Sequence, residues 1–324
     1  MMVTYLIQRL LQASFVVLAM SVIVFVGIFA IGNPVDILIS PQASLAERQQ
    51  AIQALGLDLP LWQQYLSFLE NLLRGDLGRS FVFNVSAVDL ILERVPATLE
   101  LALASTLLAL VIGIPCGLYA GLAPKSTFST TIMAGSILGF SLPSFWVGIV
   151  LIMIFSVQLG WLPSGGRGET AVLGGIRWSF LTADGLAHMA MPVLNLALFQ
   201  VSMVIRLTRA GAREVILADY IRFARAKGLT ERRIILVHVL KNILIPVITV
   251  VGLNLGTVIA FAVVTETIFS WPGMGKLIVD SINVLDRPVI VAYLMLMVLM
   301  FVFINLVVDL AYSVLDPRVR LGSR

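Results

Sequence analysis

Residues 97–120 read ATLELALASTLLALVIGIPCGLYA, and this run decides which solvent the chain is built for. After Glu100 it carries no Asp, Glu, Lys, Arg or His over the rest of its length. A helix that crosses the hydrocarbon of a bilayer needs about 20 mainly apolar residues, and this run supplies them. Comparable stretches fall at roughly 10–31, 131–157, 188–207, 242–269 and 289–312. Lipid satisfies no open strand edge, and the runs lack the short alternation of a barrel, so they predict six transmembrane helices. Gly113, Gly117 and Gly121 recur every fourth residue, which lays a smooth stripe along one helix face. Such a stripe lets another helix come close, and packing alone accounts for it.

Composition agrees. Of 324 residues, 59% are hydrophobic and only 12% charged. Soluble domains carry roughly 25% charged residues. The net charge of +4 is too small to argue for nucleic acid, and its distribution is more informative. Cys116, the single cysteine, lies in an apolar run and has no internal disulfide partner. The first apolar stretch, Leu10 to Ile31, outruns a signal peptide's core of about 7–15 residues and shows no clear cleavage site. It therefore reads as a first spanning helix, with a cleaved signal as the lesser alternative.

Charge then orients the bundle. The loop after the fourth span holds Arg206, Arg209, Arg213, Arg222, Arg225, Lys227, Arg232, Arg233 and Lys241 against Glu214, Asp219 and Glu231. The segment after the first span reverses this balance: Arg48, Arg74, Arg79 and Arg94 face Asp36, Glu47, Asp58, Glu70, Asp76, Asp89 and Glu93. The positive-inside rule puts the basic loop in the cytoplasm, and six spans then put both termini there. Arg9, Lys125, Arg318, Arg320 and Arg324 fit that orientation. The expected organisation is an N-terminal helix over 1–31, an external helical insertion over 32–96, a core over 97–317 with its cytoplasmic loop at 208–241, and a tail over 318–324. Within the insertion, Ala43–Leu55 and Trp62–Leu73 read as helices, and Ser44 with Glu47 forms a capping box. GDLGRS at Gly75–Ser80 reads as a structured turn, and the glycine-rich 158–187 as a second external loop.

The basic loop is the least bland feature. DYIRFARAK, Asp219–Lys227, precedes Gly228 and then LTERRIILVHVLKN, which predicts two short helices around a glycine. Gly228 suits a left-handed turn, and Thr230 is placed to cap the second helix. Ile234, Leu236, Val237 and Leu240 are its expected apolar contacts, with Arg232 and Arg233 facing outward. Docking of a protein, contact with anionic lipid and a plain topology signal all fit this pattern.

The motifs, taken together, resemble the transmembrane subunits of ATP-binding-cassette importers, specifically the dipeptide, oligopeptide and nickel permease family. The resemblance runs along essentially the whole chain. Its strongest stretches are DYIRFARAKG (Asp219–Gly228), TERR (Thr230–Arg233), HVLKNILIP (His238–Pro246) and VTETIFSWPGMG (Val264–Gly275). NLVVDLAYSVLDPRVR (Asn305–Arg320), GDLGRS and RVPATLEL (Arg94–Leu101) add to it. The resemblance implies that Asp219, Tyr220, Arg222, Ala224, Arg225, Ala226, Lys227, Gly228, Arg232 and Arg233 belong to a coupling segment seated on a cytoplasmic ATPase. In the wider class that segment reads Glu-Ala-Ala, three residues, Gly. Aligned on Gly228, this chain keeps Ala224 and the glycine but has Arg222 and Phe223 in place of the acid and first alanine. The implied partners are a second related permease, two ATPase subunits and an external solute-binding protein carrying peptide. ATP and magnesium would sit in the ATPases, with no cofactor in this chain and no nucleic acid.

Catalytic residues are not expected. Gly273–Met274–Gly275–Lys276 lacks the spacing of a phosphate-binding loop and reads as a turn into a short external or re-entrant helix. His188 and His238 are expected on opposite sides of the membrane and form no metal cluster. Glu266 is expected in a gate or a buried hydrogen-bond network, with direct cargo contact as a second role. Asn254, Ser141 and Pro143 are the other candidates for the path or gate. Asn195 and Gln200 either pair across helices or face that path, while Glu100 and Asp309 are expected to be structural. Pro115, Pro143, Pro192 and Pro246 are candidate kinks, the clearest within Gly139–Ser144. The expected function is thus the permease of a peptide importer in the inner membrane. A nickel-chelate or glutathione importer is the alternative, and a secondary transporter, channel or scaffold lies further off because no ion site, inverted repeat or filter is visible.

Overall fold

The computed structural model describes residues 2–30, 44–54 and 58–315. The expected tail 318–324, with Arg318, Arg320 and Arg324, and part of the expected insertion lie outside them. In chain order the helices are α1 (Met2–Ala30), α2 (Leu45–Ala54), α3 (Leu61–Leu73), α4 (Ala87–Leu122), α5 (Thr127–Ser141), α6 (Ser144–Gln158), α7 (Ala183–Val215), α8 (Asp219–Ala226), α9 (Glu231–Ile268), α10 (Met274–Asn283) and α11 (Arg287–Leu315). A hairpin of β1 (Ala171–Leu173) and β2 (Ile176–Trp178) lies between α6 and α7. Among the described residues, those up to Val95 with Gly273–Phe303 form one compact unit; Pro96–Pro272 and the residues from Ile304 form the other.

The first unit packs Val24 of α1, Phe68 and Leu72 of α3 and Met295 of α11 into one apolar cluster. Ser21 and Tyr65 share a hydrogen bond of 2.8 Å beside it. At the start of α2 the capping box forms: the Ser44 N–H donates to Glu47 Oε2 at 2.8 Å, and the Glu47 N–H donates to Ser44 Oγ at 3.3 Å. The Ser44 backbone N–H, followed by its hydroxyl, holds the Glu47 carboxyl below its ordinary range. In the GDLGRS turn, Asp76 accepts from the Gly78 N–H at 3.0 Å, while Gly75 and Gly78 take φ values of +74° and +86°. Ser80 Oγ and the Phe81 N–H both donate to buried Asp286, at 2.5 and 3.1 Å, just ahead of α11. That turn is a clasp on a helix start.

In the second unit the glycine stripe meets α7 directly. A Cβ built on Gly113 would lie 2.6 Å from Val204, one on Gly117 2.6 Å from the Ile205 carbonyl, and one on Gly121 2.6 Å from Ala212. Partners rise in sequence on both helices, so α4 and α7 run parallel. Two parallel spans require the chain between them to cross back once. That crossing is α5 with α6, which meet at a 104° bend. Ser129 of α5 bonds the Ala120 carbonyl at one end of α4, Gly139 meets Leu198 and Ser202 halfway along α7, and Gly148 of α6 meets Ile268 and Phe269 at the far end of α9. The pair is therefore a broken span and not a re-entrant loop.

The one span expected over 131–157 is thus built of two helices, broken within Gly139–Ser144 where the bend was expected. The chain breaks because Pro143 has no N–H to give and disfavours helix at Leu142, whose φ and ψ of −76° and 133° are extended. Pro115, Pro192 and Pro246 lie inside uninterrupted helices. Other bounds shift as well. α4 starts at Ala87 ahead of the expected 97, and α7 and α9 run on into the expected loop 208–241, which shrinks to 216–230 around α8. Apolar runs mark where helices touch lipid, and polar turns such as those of Arg209 and Arg213 extend past it.

Candidate functional site

A cavity of about 290 Å³ opens among the α5–α6 bend, α7 and α9. Apolar side chains make most of its wall, including Leu142, Phe199, Val258 and Phe261. Phe140 stacks on Phe199 at 4.9 Å beside it, and the Arg206 guanidinium lies 4.3 Å over the Phe140 ring. The polar part of the wall is uncharged: Ser144, Asn195, Gln200, Asn254, Thr257 and Thr265. Gln200 is tied off behind the wall, donating to Ser105 and accepting from Thr106, each at 3.0 Å. Asn195 is 3% exposed and donates to Thr265 Oγ1 at 2.9 Å, which leaves its Oδ1 buried with no hydrogen-bond partner. Nδ2 of Asn254 is buried without a partner too.

The candidate path residues separate here. Asn254 lines the cavity; Ser141 and Pro143 do not, although their neighbours Leu142 and Ser144 do. The Ser141 hydroxyl turns back to the Ile137 carbonyl at 2.9 Å. Glu266 is fully buried off the wall and accepts from Thr98 Oγ1 at 2.6 Å, across from α4. Glu100 is also buried, and the Arg167 guanidinium donates to its Oε2 at 2.8 Å. Arg167 further bonds Ser179 at 3.1 Å and the Arg177 carbonyl at 2.7 Å, while the Ser179 N–H donates to Glu100. This knot ties the β1–β2 segment to α4. Sequence reasoning found Glu100 and missed Arg167, whose partner is 67 residues away. It missed the hairpin as well, although Gly174 and Gly175, with φ of +64° and +80°, were its signal.

At the opposite end of α7 and α9, α8 is held by one face. Ile221 and Ala224 sit in a cluster with Ala212, Ile234, Val239 and Ile243. Asp219, Tyr220, Arg222, Phe223, Arg225, Ala226 and Lys227 face outward. Lys227 lies 4.6 Å over the Phe223 ring, and Arg225 donates to Glu231 at 2.8 Å. The Glu231 carboxylate raises the Arg225 pKa further above its ordinary value. The helix closes as a Schellman turn: the Leu229 N–H reaches the Ala224 carbonyl at 3.3 Å and the Gly228 N–H the Arg225 carbonyl at 2.9 Å. Gly228 has φ +78°, as its composition predicted, and a Cβ there would meet nothing within 4 Å. Arg232 and Arg233 are exposed. Two expectations fail: Thr230 sits at the N-cap without a side-chain cap bond, and Leu236 and Val237 are 61% and 50% exposed. A π-turn over Ile234–Val239 rotates them off the packed face.

Among the described residues no group of three or more His, Cys, Asp or Glu is placed to hold a metal ion. Residues 113–321 match the family model described as binding-protein-dependent transport system inner membrane component, and residues 2–102 match that of its N-terminal region. The chain is 40% identical to the oligopeptide transport system permease protein AppB of Bacillus subtilis, covering 98% of this chain and 99% of that one. It is 40% identical to the di/tripeptide transport system permease protein DppB of Pseudomonas aeruginosa over 89% of this chain and 90% of that one. It is 36% identical to the glutathione transport system permease protein GsiC of Escherichia coli, over 98% and 99%. Among solved structures, a chain of the inward-facing MetNI methionine ABC transporter superposes with a TM-score of 0.53 at 18% identity, covering 70% of this chain and 96% of that chain. That likeness bears on the fold alone.

Proposed function

Because the chain belongs to the binding-protein-dependent transport system inner membrane component family, and is thus a multi-pass permease and not an enzyme, we propose that its cargo is di- or oligopeptides and that it forms half of their path. The near full-length identity with permeases named for oligopeptide and di/tripeptide transport carries this reading. ATP hydrolysis belongs to separate ATPase subunits, which bind ATP and magnesium, and a second related permease completes the path. An external binding protein delivers peptide at the end where Arg167 and Glu100 meet. α8, with Gly228 at its end, is the handle the ATPase grips, and the density of Arg and Lys around it supports a cytoplasmic position. Both termini then lie in the cytoplasm. Closure of the ATPase pair on ATP moves α8, and α7 and α9 carry that movement to the cavity.

The test is purification of the assembled complex with its binding protein, identification of its subunits and measurement of ATP-driven uptake of labelled di- and tripeptides into proteoliposomes. Uptake that needs ATP, the binding protein and peptide is expected. Glutathione and a nickel chelate serve as competitors; uptake of either, with none of ordinary peptides, overturns the cargo assignment.

A further inference from the structure

Asn195, Leu196 and Phe199 of α7 line the cavity beside the α5–α6 bend. Seven residues on from Phe199, close to two full turns, Arg206 returns to the same side of the helix, about 10 Å nearer its α8 end. The two are joined through α5: Phe140 stacks on Phe199, and the Arg206 guanidinium rests on the Phe140 ring. Arg206 Nε donates to the Ser202 carbonyl at 3.3 Å. Its two terminal amino groups have no hydrogen-bond partner among the described residues, and both are open to water. Arg206 also makes no ion pair among the described residues, and α5 beside it carries no charged side chain. A cation left unpaired at the edge of a span is costly and marks a path for something of opposite charge. We propose that Arg206 is an exit contact for the cargo's C-terminal carboxylate, which it receives as a peptide leaves the cavity toward α8. This rests on the peptide-import reading above and deepens it.

The chemistry of the contact narrows the ligand. A guanidinium presents its amino groups as a planar fork that matches the two oxygens of a carboxylate, and it repels the ammonium at the other end of a peptide. The free carboxylate is the one anion that short peptides of any sequence share. The cavity wall holds no charged side chain, so Arg206 is the first cation below it on that side of α7. Arg209 and Arg213 follow within the next two turns, and the helix grows more basic in the direction of exit. Because the amino groups stay open to water, the pair is weak enough to let go. That suits a station on a path and not a resting site.

The experiment uses the whole complex with its binding protein in proteoliposomes and compares wild type, Arg206→Lys, Arg206→Gln and Arg206→Glu. The quantity read is peptide taken up per ATP hydrolysed, for a labelled alanine tripeptide and for its C-terminal amide. With the free acid, Arg206→Gln should lower the yield about fivefold, the upper end for an ion pair open to water. Arg206→Glu, which repels the carboxylate, should fall further, and Arg206→Lys should stay within about twofold of wild type. The amide should change less than about twofold across all four. An unchanged yield in Arg206→Gln overturns the contact. So does an equal loss in Arg206→Gln and Arg206→Glu, which would make the arginine a packing residue on Phe140; that comparison uses the acid alone and stands whatever the binding protein does with the amide. Vesicles of phosphatidylcholine with and without phosphatidylglycerol supply the last arm. A loss confined to those with phosphatidylglycerol assigns Arg206 to an anionic headgroup and overturns the cargo contact. A wild-type complex that moves no peptide at all sinks the functional reading instead.

Discussion

Gly228 closes α8 with φ +78° in open space, so two replacements of it ask different questions. Alanine meets no atom of the chain there and carries only the conformational penalty of a left-handed residue, about 1–2 kcal/mol in one turn. Gly228→Ala should keep most of the ATP-driven uptake, whereas Gly228→Trp should abolish it with membrane abundance unchanged. Equal uptake by both would remove α8 from the ATPase contact. At this scale local pairings were legible: Ser44 and Glu47 stand three apart, and a glycine after a basic helix is the ordinary mark of a left-handed close. Arg167 was not legible, because nothing local marks a side chain whose carboxylate partner lies on another helix. Thr230 had the right type and position, yet its hydroxyl makes no cap bond.

Among elements, the contact of α4 with α7 bears most directly on assembly of the second unit. Leucine at Gly117 would drive a side chain into the Ile205 carbonyl and Thr208, each within 2.7 Å of the first added carbon. Gly135 on α5 has nothing within 4 Å of an added Cβ. Gly117→Leu should therefore deplete folded protein from the membrane fraction, as read by detergent-extracted, monodisperse yield, and Gly135→Leu should not. Tolerance of both would mean that the two helices do not pack as described. The stripe itself was plain in the sequence, since spacing by four survives any tertiary context. The partner helix and its parallel direction were not, because a smooth face says nothing of what it meets. The third crossing was half legible: Pro143 marked a bend, but apolar content over 131–157 is the same for a straight helix and a broken one.

For the whole molecule, six apolar runs were enough to place it in a bilayer, and the parallel α4 and α7 fix the number of crossings between them. Orientation is a separate matter, tested by labelling. In a Cys116→Ala background, a membrane-impermeant maleimide on spheroplasts should modify Val172→Cys, which lies exposed in the hairpin, and reach Thr230→Cys only after permeabilisation. The reverse pattern would turn the basic handle outward and separate it from any cytoplasmic motor. The same bend has a further cost. α5 has 15 residues, about 22 Å of helix, against roughly 30 Å of hydrocarbon, so its last carbonyls and the first N–H groups of α6 come free where acyl chains offer no partner. Phe140, Phe145 and Trp146 flank that opening and are about half exposed in the isolated chain. Backbone in such surroundings wants a wet lumen or a neighbouring polypeptide beside it. An orphaned copy would leave that seam against oil, which gives the cell a physical reason to make its companions together with it.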